Sequence, residues 1–358
     1  MLLTEDSPPQ LVDVEVRAPV TDEVLVRVDA VGICHTDVSV AARWPARKLP
    51  MVFGHEGVGT VVEAGPRARL EPGRQVVLTF ASCGRCPSCA AARPAYCDHA
   101  TTLNLRGDRA DDASALRLGG IPVRGGFFGQ SSFATHVLAG PSNTVALDEP
   151  LDPALAAPLA CSVQTGVGTI LNAASAGGDD TVVVFGAGGV GLSAVMGARI
   201  AGCRVIVAVD PNPERRTVAT ELGATAVLDP TAVDVVSHLL DLTGGGPTVA
   251  VDTTALPAVI ATALGALRAC GTLALVGLGA LTAELPVGLI MAKGLRIRGV
   301  VEGDSDPHVF IPRLAELTRR GELPLEKLVT RFDFEQFGDA WAAAVAGTAI
   351  KPVLVMPG

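Results

Sequence analysis

Hydrophobic and polar positions change rhythm near residue 150. Before that point, short apolar–polar alternations are broken every few residues by Gly and Pro. Val24-Leu25-Val26-Arg27-Val28 and Val58-Gly59-Thr60-Val61-Val62-Glu63-Ala64 read as strands, and Leu70-Glu71-Pro72-Gly73-Arg74-Gln75-Val76-Val77-Leu78 as a Pro-Gly turn feeding a third. Residues 11–80 carry no helical period of any length, so the pattern predicts a mostly antiparallel β domain. Residues 100–150 are loop-rich, with a polar stretch at 106–114 and an apolar Gly126-Phe127-Phe128-Gly129. From Asp152 the period lengthens. Residues 153–172 have helical spacing, 181–185 form a wholly apolar strand, 192–201 a small-residue helix and 205–209 a second strand. Apolar runs at 226–229, 249–252, 271–277 and 296–301 then alternate with helical stretches. Such runs predict a parallel sheet covered on both faces. A helix at 311–319, a strand at 328–332, a helix containing Trp341 and a terminal strand at 351–356 are expected to return to the first domain. The expected division is 1–158, 159–302 and 303–358.

Composition narrows the class. A chain of 358 residues, 49% hydrophobic, is too long for one ordinary core, so two domains are expected. It holds no uninterrupted apolar run long enough for a membrane helix, and its first residues, Met1-Leu2-Leu3-Thr4-Glu5-Asp6, lack a signal peptide's layout. A cytoplasmic protein with no membrane partner is expected. A net charge of −9 without a basic run argues against nucleic acid. Eight cysteines in such a chain suggest metal ligands more than disulfides.

Four of them are compact: Cys83-Gly84-Arg85-Cys86-Pro87-Ser88-Cys89, then Cys97. Thiolates this close on a Pro- and Gly-bent loop suit a closed tetrahedral zinc site, with an iron–sulfur cluster as the alternative. Cys34, in Gly32-Ile33-Cys34-His35-Thr36-Asp37, and His55, in Gly54-His55-Glu56-Gly57, are ligand types that a catalytic zinc accepts. Such a site needs three protein ligands and one open position. Cys161, in Pro158-Leu159-Ala160-Cys161-Ser162, is the candidate for the third. Taken singly, each also reads as a buried core residue.

Between the strands at 181–185 and 205–209 lies Gly186-Ala187-Gly188-Gly189-Val190-Gly191. This strand–glycine turn–helix–strand context marks a dinucleotide site. Gly186 permits the turn, Gly188 lets backbone approach a pyrophosphate, and Gly191 lets the helix lie close to the strand. Asp210, at the end of the second strand, is placed for the adenosine ribose hydroxyls. Its charge would repel a 2′-phosphate, which favours NAD over NADP; Arg215 pulls the other way.

In this order, the CHTD and GHEG stretches, the four-cysteine lobe, Cys161 with Gln164-Thr165-Gly166, the glycine turn and Asp210 resemble the zinc-dependent medium-chain alcohol dehydrogenases over nearly the whole chain. Gly299-Val300-Val301-Glu302-Gly303-Asp304-Ser305-Asp306-Pro307 looks most like the aryl-alcohol (benzyl alcohol) branch. The resemblance implies an α/β fold: a GroES-like, mostly antiparallel catalytic domain with a structural-zinc lobe at about 81–99, and a Rossmann doubly wound coenzyme domain. It implies two zinc ions per chain, one on Cys34, His55 and Cys161 and one on Cys83, Cys86, Cys89 and Cys97. It gives Asp37 the orientation of the histidine ligand and Glu56 a carboxylate able to approach the metal. Thr36 would bridge alcohol and cofactor ribose, and His35 would lie near the pyrophosphate. NAD would meet Gly186, Gly188, Gly189, Val190, Gly191, Asp210, Arg215 and Thr165. Phe127 and Phe128 would line the substrate channel, with Trp44 beside it. The relay histidine of liver-type members is replaced by Ser39, so the proton must leave by His35, the ribose or another route.

The implied activity is reversible oxidation of primary alcohols, aromatic or allylic, to aldehydes. Lewis-acid stabilisation of the alkoxide and hydride transfer to NAD carry it. Two other readings stand beside it. One is a glutathione-dependent formaldehyde dehydrogenase using Arg43, Arg47 and Lys48 to hold carboxylates. The other is a non-catalytic NAD-binding regulator. A homodimer or homotetramer is expected, with the 296–301 strand extending the sheet across a twofold. Cys203 and Cys270 read as core, and His99, His136, His238 and His308 as structural.

Overall fold

The computed structural model describes residues 3–4, 9–105, 107 and 114–357. Most of the acidic N-terminal stretch and of the polar stretch at 106–114 lies outside the described residues. The chain forms two units. The first takes it through Cys161 and regains it at Asp306–Gly321 and from Leu328 on; the second is Ser162–Ser305 with Glu322–Lys327.

The first unit is built on a seven-stranded sheet. Its order is Val329–Asp333, Lys351–Val355, Val24–Gly32, Glu56–Ala64, Gln75–Leu78, Thr144–Ala146, and His136–Ala139 also pairs with Val24–Gly32. All pairings are antiparallel except that of Val329–Asp333 with Lys351–Val355. The alternation along Val24–Gly32 sends Val24, Val26 and Val28 into a core shared with Phe53, Phe127 and Phe133. Register shifts at Leu25/Val26 and Val28/Ala30 bend this strand. A smaller sheet joins Glu15–Val16, Leu116–Leu118 and Ile121–Val123.

One helix escapes the hydrophobic pattern. His35–Ala41 is too short to display a period, and Asp37 Oδ2 secures its start by accepting the Cys34 backbone N–H at 3.0 Å. The stretch at 153–172 is also not one helix. Pro153–Ala156 and the 3₁₀ turn Ala157–Ala160 stop at Cys161, whose φ of −144° and ψ of −73° are not helical, and Ser162–Gly168 resumes.

The second unit is a six-stranded parallel sheet in the order Ala226–Leu228, Val205–Val209, Thr181–Phe185, Val249–Asp252, Thr272–Leu275, Arg296–Gly299. By position in the chain that is 3-2-1-4-5-6, the doubly wound order. Its first four strands are almost wholly apolar because helices cover both faces. Arg296–Gly299 is the edge strand and is largely exposed. Cys270 departs from its core reading: it is exposed, in a turn with φ of +61° just ahead of Thr272–Leu275. Among the described residues no single helix is long and apolar enough to cross a membrane.

Candidate active site

Three backbone devices deliver the central side chains. Cys34 sits where the Val24–Gly32 strand gives way to the His35–Ala41 helix, His55 one residue before the Glu56–Ala64 strand, and Cys161 at the helix break. One ligand atom from each of Cys34, His55, Glu56 and Cys161 lies within 4.8 Å of all the others, and all four residues are buried. His55 Nδ1 is 2.8 Å from Asp37 Oδ1, and the two side chains are 1% and 0% exposed. That contact fixes the ring and leaves Nε2 buried without a hydrogen-bond partner of acceptable geometry among the described residues. An orphaned imidazole nitrogen beside two thiols and a carboxylate fits a bound cation of the zinc type.

The electrostatics agree. Hydrogen bonding with Cys161 and the Lys351 charge outweigh burial and hold the Cys34 thiol well below its ordinary value. Burial pushes His55 down, but the Asp37 charge and hydrogen bond win and raise it well above the usual imidazole range. A site that draws protons onto His55 also draws a metal. Burial lifts the Glu56 carboxyl to about 7 against the pull of Lys351. Burial also opposes the Lys351 charge, yet Glu56 and the two thiols hold this ammonium above its ordinary value.

A backbone carbonyl at or beside each candidate ligand is tied down. Gln130 Nε2 donates to His55 O at 2.9 Å and to Thr79 O at 3.0 Å, while its Oε1 accepts from Gly57 N at 3.2 Å. Thr79 Oγ1 donates to Ala160 O at 2.7 Å, next to Cys161. Lys351 Nζ reaches Ile33 O at 3.5 Å, next to Cys34, and both Glu56 oxygens at 2.8 and 2.9 Å. Sequence reasoning missed Gln130, Thr79 and Lys351. Lys351 alone left a trace, as a lone cation opening an apolar terminal strand.

Around this centre, Thr36 Oγ1 lies 3.7 Å from Cys34 Sγ, His35 is exposed and Ser39 half-buried. Phe128 stacks on His55 at 4.6 Å between centroids, from a left-handed backbone position with φ of +52°. Phe127 is fully enclosed, edge-on to Trp44, Phe53, His55 and Phe128. Trp44 meets Phe53 edge-on at 5.3 Å under the Lys48 ammonium; Arg43 and Arg47 are exposed.

The cysteine lobe is a different object. One sulfur from each of Cys83, Cys86, Cys89 and Cys97 lies within 4.8 Å of the rest. Cys86 and Cys97 sulfurs are 3.9 Å apart, too far for a disulfide and close to the ~3.8 Å edge of a tetrahedron with zinc–sulfur distances of about 2.3 Å. Backbone N–H groups of Cys83, Cys86, Asp98 and His99 donate to sulfurs at 3.3–3.4 Å, contacts that favour thiolates, against burial that pushes the Cys97 thiol up to about 12. The donor set fits a second zinc.

In the second unit Gly186 turns with φ of +89°, and a Cβ on Gly191 would collide with Gly186 O. At Gly188 a Cβ would meet nothing within 4 Å, so backbone lies open at the N-terminus of the Gly189–Ile200 helix. Val190, in its first turn, leaves the Gly166 position no room for a side chain. Asp210 Oδ2 accepts from Ala187 N at 2.7 Å and Oδ1 from Asn212 N at 2.8 Å, which sets the carboxylate against the glycine turn. Arg215 lies in the Pro213–Leu222 helix. Thr165 is buried on Ser162–Gly168, with Oγ1 3.3 Å from Glu302 Oε2.

Family models for an alcohol dehydrogenase GroES-like domain and a zinc-binding dehydrogenase match residues 20–148 and 189–319. Geraniol dehydrogenase of Castellaniella defragrans is 44% identical, over 96% of this chain and 93% of that protein. The chain belongs to the zinc-binding medium-chain alcohol dehydrogenases. A zinc-binding alcohol dehydrogenase domain protein from Burkholderia ambifaria superposes with a TM-score of 0.96 at 42% identity, covering 99% of this chain and 97% of that one. Benzyl alcohol dehydrogenase from Acinetobacter calcoaceticus gives a TM-score of 0.92 at 36% identity, covering 96% and 94%. This alcohol dehydrogenase is therefore a zinc-dependent oxidoreductase with a GroES-like and a Rossmann-type domain.

Proposed function

We propose that this alcohol dehydrogenase oxidises aromatic or allylic primary alcohols to aldehydes with NAD, using one zinc at Cys34, His55 and Cys161 and one at Cys83, Cys86, Cys89 and Cys97. The observation that carries the reading is the orphaned His55 Nε2 among two thiols, with Phe128 stacked on the same ring. Benzyl alcohol and geraniol, the substrates in two relatives' names, both carry the reacting carbon beside a π-system. A flat aromatic wall suits such molecules.

Zinc held at Cys34, His55 and Cys161 would supply Lewis acidity that makes the alcohol proton easy to lose. The remaining work belongs to the chain. Asp37 fixes the His55 tautomer through Nδ1. Thr36 Oγ1 is assigned to accept the alcohol proton as its own hydroxyl proton moves on, and exposed His35 to pass a proton to water at the end of that relay, since Ser39 offers no imidazole. Gly186 makes the turn, and Gly188 leaves backbone clear for a pyrophosphate. Asp210 supports NAD over NADP through repulsion of a 2′-phosphate. The partner is then a small alcohol or aldehyde.

Initial rates of NADH formation test this reading. Benzyl alcohol and geraniol should be turned over with NAD about tenfold better, by kcat/KM, than with NADP. Turnover of S-hydroxymethylglutathione alone would transfer the reading to formaldehyde oxidation through Arg43, Arg47 and Lys48. Two metals without turnover would favour a regulator.

The exposed edge strand Arg296–Gly299, with Leu281, Val287, Met291 and Val301 exposed nearby in sequence, supports a homodimer or homotetramer formed through that edge. Light scattering should give at least two chains per particle. Eight unbridged cysteines support a reducing, cytoplasmic setting.

A further inference from the structure

We infer that Lys351 is a positioning residue that holds Glu56 off the metal and so keeps the fourth coordination position of the Cys34–His55–Cys161 site open to substrate. The inference rests on the zinc reading above. Four candidate ligand atoms converge here, and Glu56 supplies one of them. Were all four used, the site would be closed and tetrahedral, like a structural zinc, with no place for an alcohol. Something must therefore divert the carboxylate.

Lys351 is placed to do so. Its Nζ lies 2.8 and 2.9 Å from the two Glu56 oxygens, so both are engaged by one ammonium. A third donation, to Ile33 O at 3.5 Å, fixes the ammonium to the backbone beside Cys34. Both side chains are enclosed, at 4% and 0% exposed, so water does not screen the pair. Strand pairing sets the approach: Lys351–Val355 runs antiparallel to Val24–Gly32, where Val353 pairs with Gly32. Gly32 completes the berth, because any Cβ there would collide with Glu56 Oε2. Charge points the same way. A Glu56 carboxylate drawn onto the metal would leave the enclosed Lys351 ammonium without its counter-charge.

Cobalt(II) exchanged into the full-length protein reports the ligand set, with imidazole as the probe of the open position. In wild type, imidazole should shift the cobalt d–d bands. In Lys351→Met the bands should shift without imidazole and no longer respond to it. Removal of the metal by a chelator should slow about tenfold, and kcat should fall about 10- to 100-fold. Lys351→Arg should restore the wild-type spectrum, and Lys351→Met/Glu56→Gln should restore the imidazole response. A Lys351→Met spectrum identical to wild type and equally responsive overturns the inference and leaves the zinc reading standing. Removing one partner of a buried pair can prevent folding. Glu56→Gln alone then decides: unchanged bands support the inference, whereas shifted bands mean that Glu56 already binds the metal and overturn it. A wild type whose cobalt spectrum ignores Cys34→Ser and Cys161→Ser would defeat the zinc reading and the inference together.

Discussion

The two cysteine-bearing centres of the first unit solve opposite problems. The lobe gathers Cys83, Cys86, Cys89 and Cys97 within one loop, uses four like ligands and borrows its supporting donors from the backbone. The second centre draws Cys34, His55 and Cys161 from three places in the chain. It is enclosed, and side chains support it: Asp37 on the ring, Lys351 on Glu56, Gln130 and Thr79 on carbonyls. A closed site can be supported by the backbone of its own loop. A site proposed to stay open must also be kept from closing, and that calls for supporting side chains.

The contrast breaks most sharply at the ligands. Cys161→Ser should lower kcat/KM by about three orders of magnitude with little change in melting temperature, read by steady-state rates and calorimetry. Cys97→Ser should do the reverse. The lobe loses its metal, the first unit unfolds several degrees earlier, and the surviving fraction turns over near normally. Equal effects from both changes would erase the distinction. Asp37→Asn, which keeps the shape but not the charge facing His55, should cost about 10- to 100-fold in activity or metal affinity. In the other unit, Asp210→Ser should cut the NAD-to-NADP preference by about tenfold and leave metal content alone. Phe127→Ala should cost about 3–5 kcal/mol of stability, as a fully enclosed ring in a shared core. A smaller loss would place that ring outside the core.

How much of this was readable in advance follows from distance along the chain. The glycine turn with its flanking apolar strands is a local code, and the lobe is a compact spacing. Both stand where the pattern puts them. The alternating strands of the first unit were legible because one face is buried. His35–Ala41 was not, since seven residues give no period and its start depends on Asp37. The interruption at Cys161 was hidden by helical spacing on both sides of it. Gln130 had no signal at all: its role exists only once Thr79 and Gly57 are its neighbours. Lys351 meets Glu56 from the far end of the chain, and no spacing rule spans that gap. Side chains that do chemistry leave motifs; those that hold them in place leave few.

The three anchored carbonyls, Ile33 O, His55 O and Ala160 O, have one more implication. The cage of candidate ligands owes its shape to protein–protein hydrogen bonds, so it should exist before any ion arrives. Loading it would then resemble filling a mould rather than folding around a nucleus: fast, cheap in chain entropy and tolerant of other ions of zinc's size.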